Sequence, residues 1–347
     1  PEAYGPTPDA LQYEYQKQEL AAFCHFGPNT FNEIEWGENY GNTPPAEIFT
    51  LGPNDDFDAE TLVETLKNAG FKRLIVTAKH HDGFCIWASE YTKYDVASTN
   101  YKNGEGDILA EISKACSDYD MDMGLYLSPW DIHDQSYGYF DKDGNALVGS
   151  DGQPLNGMSW EEVEEKDVYD YNEYYRNQLE EILGNDKYGN KGEFVEIWMD
   201  GAKGSGYKTQ NYNFDDWFAT IQKYEGKEAG READCLLFGS GAKTTVRWIG
   251  NELGFAPDTN WAQAKLIYKD GKATDIDTGW DESTGYAAGY PDGDVWTVPE
   301  CDARITSGWF WGNTKKTPKS MEELSEMYFR SVGHNGTLLL NVPPNDE

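Results

Sequence analysis

Basic residues are scarce in this chain of 347 residues, in which 28 Lys and Arg stand against 62 Asp and Glu and give a formal net charge of -34. Recognition of phosphate requires basic patches, so this balance excludes nucleic acids and anionic membrane surfaces as expected partners. Long apolar runs are also missing, because none approaches the ~20 residues that cross a bilayer. We therefore expect no membrane insertion.

Motifs for metals, cofactors and serine nucleophiles are missing as well. The five cysteines are far apart, show no CxxC spacing and are predicted to be buried free thiols. The glycine-rich segment 201–206 lacks the spacing of dinucleotide-binding and phosphate-binding loops, and no Gly-x-Ser-x-Gly elbow is present. We predict neither a cofactor nor a metal site.

Aromatic residues, by contrast, are abundant at 14% of the chain. Flat rings exposed in a cleft suit the apolar faces of sugars, although each ring could equally pack in the core. The tryptophans that follow or flank predicted strand ends are Trp36, Trp87, Trp130, Trp309 and Trp311. Their shared position favours a sugar-binding cleft.

Apolar strands alternate with amphipathic helices along the chain, which is the pattern of parallel sheets. Seven or eight such strands predict an α/β fold, a (β/α)8 TIM-like barrel in a single domain over residues 1–347. The predicted strands cover residues 20–27, 73–79, 121–128, 194–200, 235–240, 295–302 and 336–342. The predicted helices cover residues 58–69, 107–119, 160–183, 215–224 and 320–332. Residues 1–19 carry no predicted element, and the segment up to residue 294 after Glu252 is predicted to be a long loop.

Carboxylates at strand ends are the first candidates for catalysis. Asp200 ends the apolar strand Phe194-Val-Glu-Ile-Trp-Met, where a charge is costly to bury without a functional reason or an ion pair. Cleavage of a glycosidic bond needs two carboxyl groups, and Asp200 is the candidate nucleophile. The proton donor is either Glu252 or Glu300 on this reasoning, and Glu252 could instead pair with Arg247.

Three of the five histidines, His25, His80 and His81, lie at predicted strand ends. Adjacent residues on an extended chain point to opposite sides, so His80 and His81 could not both bind one metal comfortably. Hydrogen bonding to substrate hydroxyls is the favoured interpretation. A metal-dependent barrel hydrolase and a non-catalytic sugar-binding protein are the alternatives.

These motifs together resemble the α-L-fucosidases of glycoside hydrolase family 29, and the resemblance extends over nearly the whole chain. The matching segments are His25-Phe-Gly, Glu35-Trp36-Gly, Ala78-Lys-His-His-Asp-Gly-Phe84 with Trp87, Gly124-Leu-Tyr126-Leu-Ser, Trp198-Met-Asp200-Gly201 and Leu338-Leu-Leu-Asn-Val-Pro-Pro344. The Lys-His-His-Asp-Gly-Phe and Trp-x-Asp-Gly segments are quite specific in combination.

The resemblance implies a retaining exo-α-L-fucosidase on a barrel with irregular helices, acting through a covalent fucosyl-enzyme on Asp200. It implies a sugar pocket made by His25, Glu35, Trp36, His80, His81, Trp87 and Tyr126, with Glu300 at its rim and Trp309 near the fucose methyl group. The segment from Arg247 to Glu252 resembles the subgroup that removes α1,3- and α1,4-linked fucose from Lewis-type glycans, in which this Glu is the proton donor.

Family members usually continue after Asn-Val-Pro-Pro into a C-terminal β-sandwich, whereas this sequence stops at Glu347. We therefore expect a catalytic barrel domain that belongs to a larger protein, whose other modules would be its partners alongside a fucosylated oligosaccharide. From the class of enzyme we expect an extracellular or cell-surface location.

Overall fold

The computed structural model describes residues 4–38, 43–165, 170–204, 208–239, 241–312 and 317–345, which contain a closed barrel of eight parallel strands. In order around the barrel, the strands are β1 (Leu20–Cys24), β2 (Arg73–Lys79), β3 (Asp122–Leu127), β4 (Glu196–Trp198), β5 (Leu236–Phe238), β6 (Val246–Trp248), β12 (Val298–Arg304) and β13 (Thr337–Asn341). Parallel pairing of β13 with β1 closes the barrel. The predicted TIM-like fold is confirmed.

Helices surround the barrel unevenly. They are α1 (Ala10–Gln18), α2 (Pro28–Asn32), α3 (Pro45–Ile48), α4 (Ala59–Asn68), α5 (Ile108–Tyr119), α6 (Trp160–Glu165), α7 (Tyr171–Leu183), α8 (Phe214–Glu225) and α9 (Met321–Ser331). Between β5 and β6, no helix occurs among the residues that the structure describes. Within the same described ranges, no helix has both the length and the apolar character needed to span a bilayer.

The prediction of a long loop after Glu252 is wrong. This segment contains a three-stranded antiparallel sheet of β7 (Gln263–Lys269), β8 (Lys272–Asp277) and β11 (Val295–Trp296), with a small hairpin of β9 (Trp280–Asp281) and β10 (Tyr286–Ala287). Only Ala264 is buried in β7 and β8, and apolar residues do not alternate regularly with polar ones, so these strands lack the pattern that identifies a half-buried strand in a sequence. We call residues 249–297 the β6–β12 excursion.

The predicted pattern of helices also needs correction in two places. The helix predicted over residues 160–183 is two helices, α6 and α7, and residues 166–169 between them lie outside the described part. The N-terminal segment, for which no element was predicted, contains α1, which begins with a capping box of Asp9 and Gln12. The five cysteines are buried and unpaired, as predicted.

Helix α1 contributes polar contacts to the barrel interior. The Tyr15 hydroxyl donates to Glu300 Oε2 at 2.5 Å, and the Tyr15 ring lies 3.7 Å from the Arg73 guanidinium carbon. Arg73 Nη1 in turn lies 2.8 Å from Glu196 Oε2, with both side chains fully buried. A buried ion pair is costly to desolvate unless further hydrogen bonds stabilise the two charged groups. One such bond runs from Arg73 Nε, which donates to Gln18 Oε1 at 3.2 Å.

Candidate active site

A cavity of about 660 Å³ lies at the carboxyl ends of the barrel strands, which is where enzymes of this fold carry their chemistry. Nine of the eleven side chains predicted from the sequence line it. They are His25, Glu35, Trp36, His80, His81, Tyr126, Asp200, Glu252 and Trp309. Because they come from segments up to 284 residues apart, the barrel closure is what brings them together.

Asp200 is held by three neighbours. Its Oδ1 accepts from the backbone N–H of Ala202 at 2.8 Å, its Oδ2 accepts from the Tyr126 hydroxyl at 3.0 Å, and His81 Nε2 lies 3.5 Å from Oδ2. Burial alone would raise the pKa of Asp200, but the charge and hydrogen bonding of His81, with the donors Ala202 and Tyr126, lower the pKa below its usual value. Asp200 is therefore kept ionised in a partly buried position.

The orientation of His81 is fixed by a hydrogen-bond chain. The Ser128 hydroxyl donates to the carbonyl oxygen of Trp130 at 2.6 Å, so it can only accept from His81 Nδ1, which lies 2.7 Å away. With Nδ1 committed as a donor, Nε2 can donate toward Asp200 only when the ring is doubly protonated. Ser128 thus fixes the His81 ring with Nε2 directed at the Asp200 carboxylate.

His25 is held in its neutral form. Asn341 donates through Nδ2 to the carbonyl oxygen of Trp309 at 2.7 Å, so its Oδ1 accepts from His25 Nδ1 at 2.7 Å. Burial lowers the pKa of His25 to about 3, so the ring is neutral and leaves Nε2 as an acceptor. Burial also lowers the pKa of His80 well below its usual value. Two neutral imidazoles in one cavity suit hydrogen bonds to the hydroxyls of an uncharged ligand.

Glu252 lies on the loop after β6, and its side chain is 46% exposed. Burial raises its pKa, the guanidinium of Arg304 at 3.8 Å lowers it, and the neighbouring carboxylates of Glu35 and Asp200 raise it again, with a net upward shift. Asp200 and Glu252 thus line one cavity with pKa values shifted in opposite directions. Such a pair suits one carboxylate that stays ionised and one that carries a proton.

Two predicted residues do not line the cavity. Glu300 is fully buried inside the barrel, where its Oε1 accepts from the indole N–H of Trp198 at 2.7 Å and its Oε2 accepts from Tyr15. Burial, followed by the nearby charge of Glu196, raises the pKa of Glu300 well above its usual value. Trp87 is also fully buried, and its indole N–H donates to Glu181 Oε2 on α7 at 2.7 Å.

Several cavity residues were missed by the sequence-based prediction. Trp198 forms an aromatic wall, stacked on Phe238 with ring centroids 3.8 Å apart and on Tyr126 at 5.3 Å. Asp302 is buried against Trp248, whose indole N–H donates to its Oδ1 at 2.8 Å, and burial raises the pKa of Asp302 to about 8. The spacing of two between Glu300 and Asp302 could have indicated a second carboxyl group on the interior face of β12.

Side chains that could together hold a metal ion are the next feature of the site. No group of three or more His, Cys, Asp and Glu side chains has a suitable arrangement among the residues that the structure describes. The three cavity histidines instead contact Asp200, Asn341 and aromatic rings, with His80 stacked on Tyr126 at 5.6 Å.

Comparisons with known proteins agree on one family. The family model described as α-L-fucosidase matches residues 3–236. α-L-Fucosidase 1 of Arabidopsis thaliana is 39% identical over 98% of this chain and 56% of its own length, and putative α-L-fucosidase 1 of rice (Oryza sativa subsp. japonica) is 36% identical over 98% and 55%. The chain therefore spans little more than half the length of these relatives.

A solved structure gives the same result. A GH29 fucosidase of Ruminococcus gnavus in complex with fucose is 63% identical, with a TM-score of 0.86, and the match covers 99% of this chain and 65% of that one.

Proposed function

The chain belongs to the α-L-fucosidase family, glycoside hydrolase family 29, and we propose that it is a retaining exo-α-L-fucosidase. Its proposed substrates are Lewis-type branched oligosaccharides with terminal α1,3- or α1,4-linked L-fucose. The observation that carries this proposal is the pair of carboxyl groups in one cavity, Asp200 with a lowered pKa and Glu252 with a raised pKa.

Asp200 is the proposed nucleophile. In the first step, its carboxylate attacks the anomeric carbon while Glu252 donates a proton to the departing glycosidic oxygen. This step forms the bond from Asp200 to fucose and breaks the bond to the leaving group. The contacts of Asp200 with His81 and with the hydroxyl of Tyr126 support the role, because both lower its pKa and so stabilise the ionised form that attacks.

Glu252 then acts as the base. It takes a proton from the water that attacks the fucosyl-enzyme, which releases fucose with its original anomeric configuration and restores both carboxyl groups. A retaining enzyme requires the two carboxyl groups about 5 to 5.5 Å apart, and this separation is our expectation for the substrate complex.

The remaining cavity residues support recognition of a neutral sugar. The neutral rings of His25 and His80 would bond fucose hydroxyls, and the Trp309 ring, 5.0 Å from His25, offers an apolar surface for the fucose methyl group. The resemblance of the segment Arg247–Glu252 to one subgroup supports the linkage preference.

Azide trapping with a reactive aryl α-L-fucoside tests the two roles. In Asp200→Gly, azide can replace the nucleophile directly, so the product should be the β-fucosyl azide. In Glu252→Ala, azide should attack the intact fucosyl-enzyme and give the α-fucosyl azide. Glu300→Ala is the matched control, since Glu300 lies outside the cavity lining. Formation of the α-azide by the Glu300 variant and not by the Glu252 variant would overturn the assignment.

The stereochemistry and linkage are tested on the unmodified protein. Proton NMR of the first product should detect α-fucose before mutarotation, and initial β-fucose would refute retention. Release from Lewis trisaccharides should exceed release from α1,2-fucosyllactose. The reverse order would refute the proposed linkage preference while leaving the fucosidase activity in place.

A further inference from the structure

A second groove of about 370 Å³ lies beside the cavity and shares Gly239 and Trp248 with it. Its other walls come from the end of β8, with Asp275 and Ile276, and from Trp280 on β9. The groove therefore belongs in large part to the β6–β12 excursion, outside the barrel that holds Asp200.

Two tryptophans give this groove an aromatic surface. Trp248 is 40% exposed and Trp280 is 51% exposed, although aromatic side chains of this size are usually well buried. Their ring planes differ by 15° and their centroids are 6.1 Å apart. Exposed rings of this kind present an apolar face to a pyranose, whose axial C–H groups form a matching face.

Both rings are held in place. The indole N–H of Trp248 donates to Asp302. Trp280 packs on the backbone of Gly250, which has φ +106, and a side chain at that position would collide with the Trp280 ring. A fixed aromatic surface loses little conformational entropy on binding, which distinguishes it from a pair of mobile surface side chains.

The groove lining also includes two buried polar residues, Thr244 and Arg247. Thr244 Oγ1 and Arg247 Nε have no hydrogen-bond partner within the described ranges. The other guanidinium nitrogens of Arg247 donate to Asn260 and to the carbonyl oxygens of Trp261 and Ala287. Arg247 is therefore a fixed part of the groove wall.

The position of the groove identifies which part of a substrate would occupy it. Gly250, on which Trp280 packs, precedes Glu252 by two residues, and Glu252 is the proposed proton donor to the leaving group. The leaving group must therefore lie on the Glu252 side of the cavity, where Trp248 borders both spaces. Resting on the proposed function, we propose that the Trp248–Trp280 groove binds a pyranose of the leaving-group oligosaccharide.

The test compares Trp280→Ala with Trp261→Ala on two substrates. Trp261 is 42% exposed and lines neither the cavity nor the groove, so it is a matched control. The measured quantity is the ratio of kcat/KM on a Lewis trisaccharide to kcat/KM on an aryl fucoside. Loss of an aromatic anchor should lower this ratio at least about tenfold for Trp280→Ala and leave it unchanged for the control.

A second measurement separates loss of binding in the groove from a disturbance of the Glu252 loop in Trp280→Ala. The defucosylated disaccharide should inhibit hydrolysis of the aryl fucoside, and Trp280→Ala should raise its inhibition constant by about tenfold. An unchanged ratio together with an unchanged inhibition constant would overturn the groove assignment. Absence of aryl fucoside hydrolysis by the unmodified protein would instead refute the proposed function, so the two failures are distinguishable.

Discussion

Replacing Arg304 by Gln should move the basic limb of the pH profile to higher pH. The Arg304 guanidinium lies 3.8 Å from the Glu252 carboxylate and favours its ionised form, although burial, the largest influence, raises the pKa of Glu252. As the proposed proton donor, Glu252 must be protonated to assist departure of the leaving group, so activity should be lost as the pH rises through its pKa. Without Arg304 that loss should begin at higher pH.

The size of the shift follows from the distance and the exposure. Two unit charges about 4 Å apart interact by ~1 kcal/mol in water and by ~4 kcal/mol at an effective dielectric constant of 20. The Glu252 and Arg304 side chains are 46% and 31% exposed, which places the pair near the aqueous limit. An interaction of ~1 kcal/mol corresponds to a shift of about 0.7 pH unit.

The assay is kcat/KM for an aryl fucoside between pH 4 and pH 9, because this quantity reports the ionisation of the free enzyme. Arg176→Gln is the matched control: Arg176 is 34% exposed and lies 3.7 Å from Glu173 and 3.6 Å from Asp216, away from the cavity. The control should move neither limb. A basic limb that stays in place or moves to lower pH in Arg304→Gln would refute Glu252 as the proton donor.

Further substitutions test the surroundings of the site. Ser128→Ala removes the acceptor that fixes His81, so the pKa of Asp200 should rise and the acidic limb of kcat/KM should move to higher pH; an unchanged acidic limb would contradict this role. Trp87→Phe should lower the free energy of unfolding by about 1–2 kcal/mol, measured by urea denaturation, with KM for an aryl fucoside unchanged; a large rise in KM would place Trp87 in contact with substrate. Glu196→Gln breaks a buried ion pair and should cost about 3–5 kcal/mol in the same denaturation experiment, and a loss below 1 kcal/mol would show that the pair is dispensable.

The barrel could be predicted from the sequence because its strands are buried on both faces. All seven residues of β2 are buried, and its centre, Leu74-Ile-Val76, is an apolar run typical of a strand that is buried on both faces. The same reasoning marks Asp200, since a carboxyl group directly after such a run is costly without a partner or a function. The exposed strands β7 and β8 leave no comparable pattern, and their pairing depends on backbone hydrogen bonds that composition does not reveal.

The sequence also does not reveal whether an interior side chain of a barrel strand lies deep in the barrel or at the cavity. Glu300 and Asp302 both point into the barrel because they are two residues apart on β12, and their sequence context gives no reason to separate them. Asp302 lines the cavity, whereas Glu300 lies against Tyr15 from the N-terminal helix. The sequence did not predict that helix. The contact that identifies Glu300 as a residue outside the cavity lining joins positions 285 residues apart, and only the folded structure reveals it.

The groups proposed to bind fucose and the groups proposed to contact the leaving group come from different parts of the chain. The groups proposed to face fucose, such as His25 and Asp200, follow short barrel strands whose positions are fixed by the closed sheet. Glu252 and Trp280 belong to the β6–β12 excursion, which lies outside the closed barrel sheet and packs against itself through Gly250. Substitutions in the excursion should therefore change which leaving groups are accepted, while the specificity for fucose follows the strand ends.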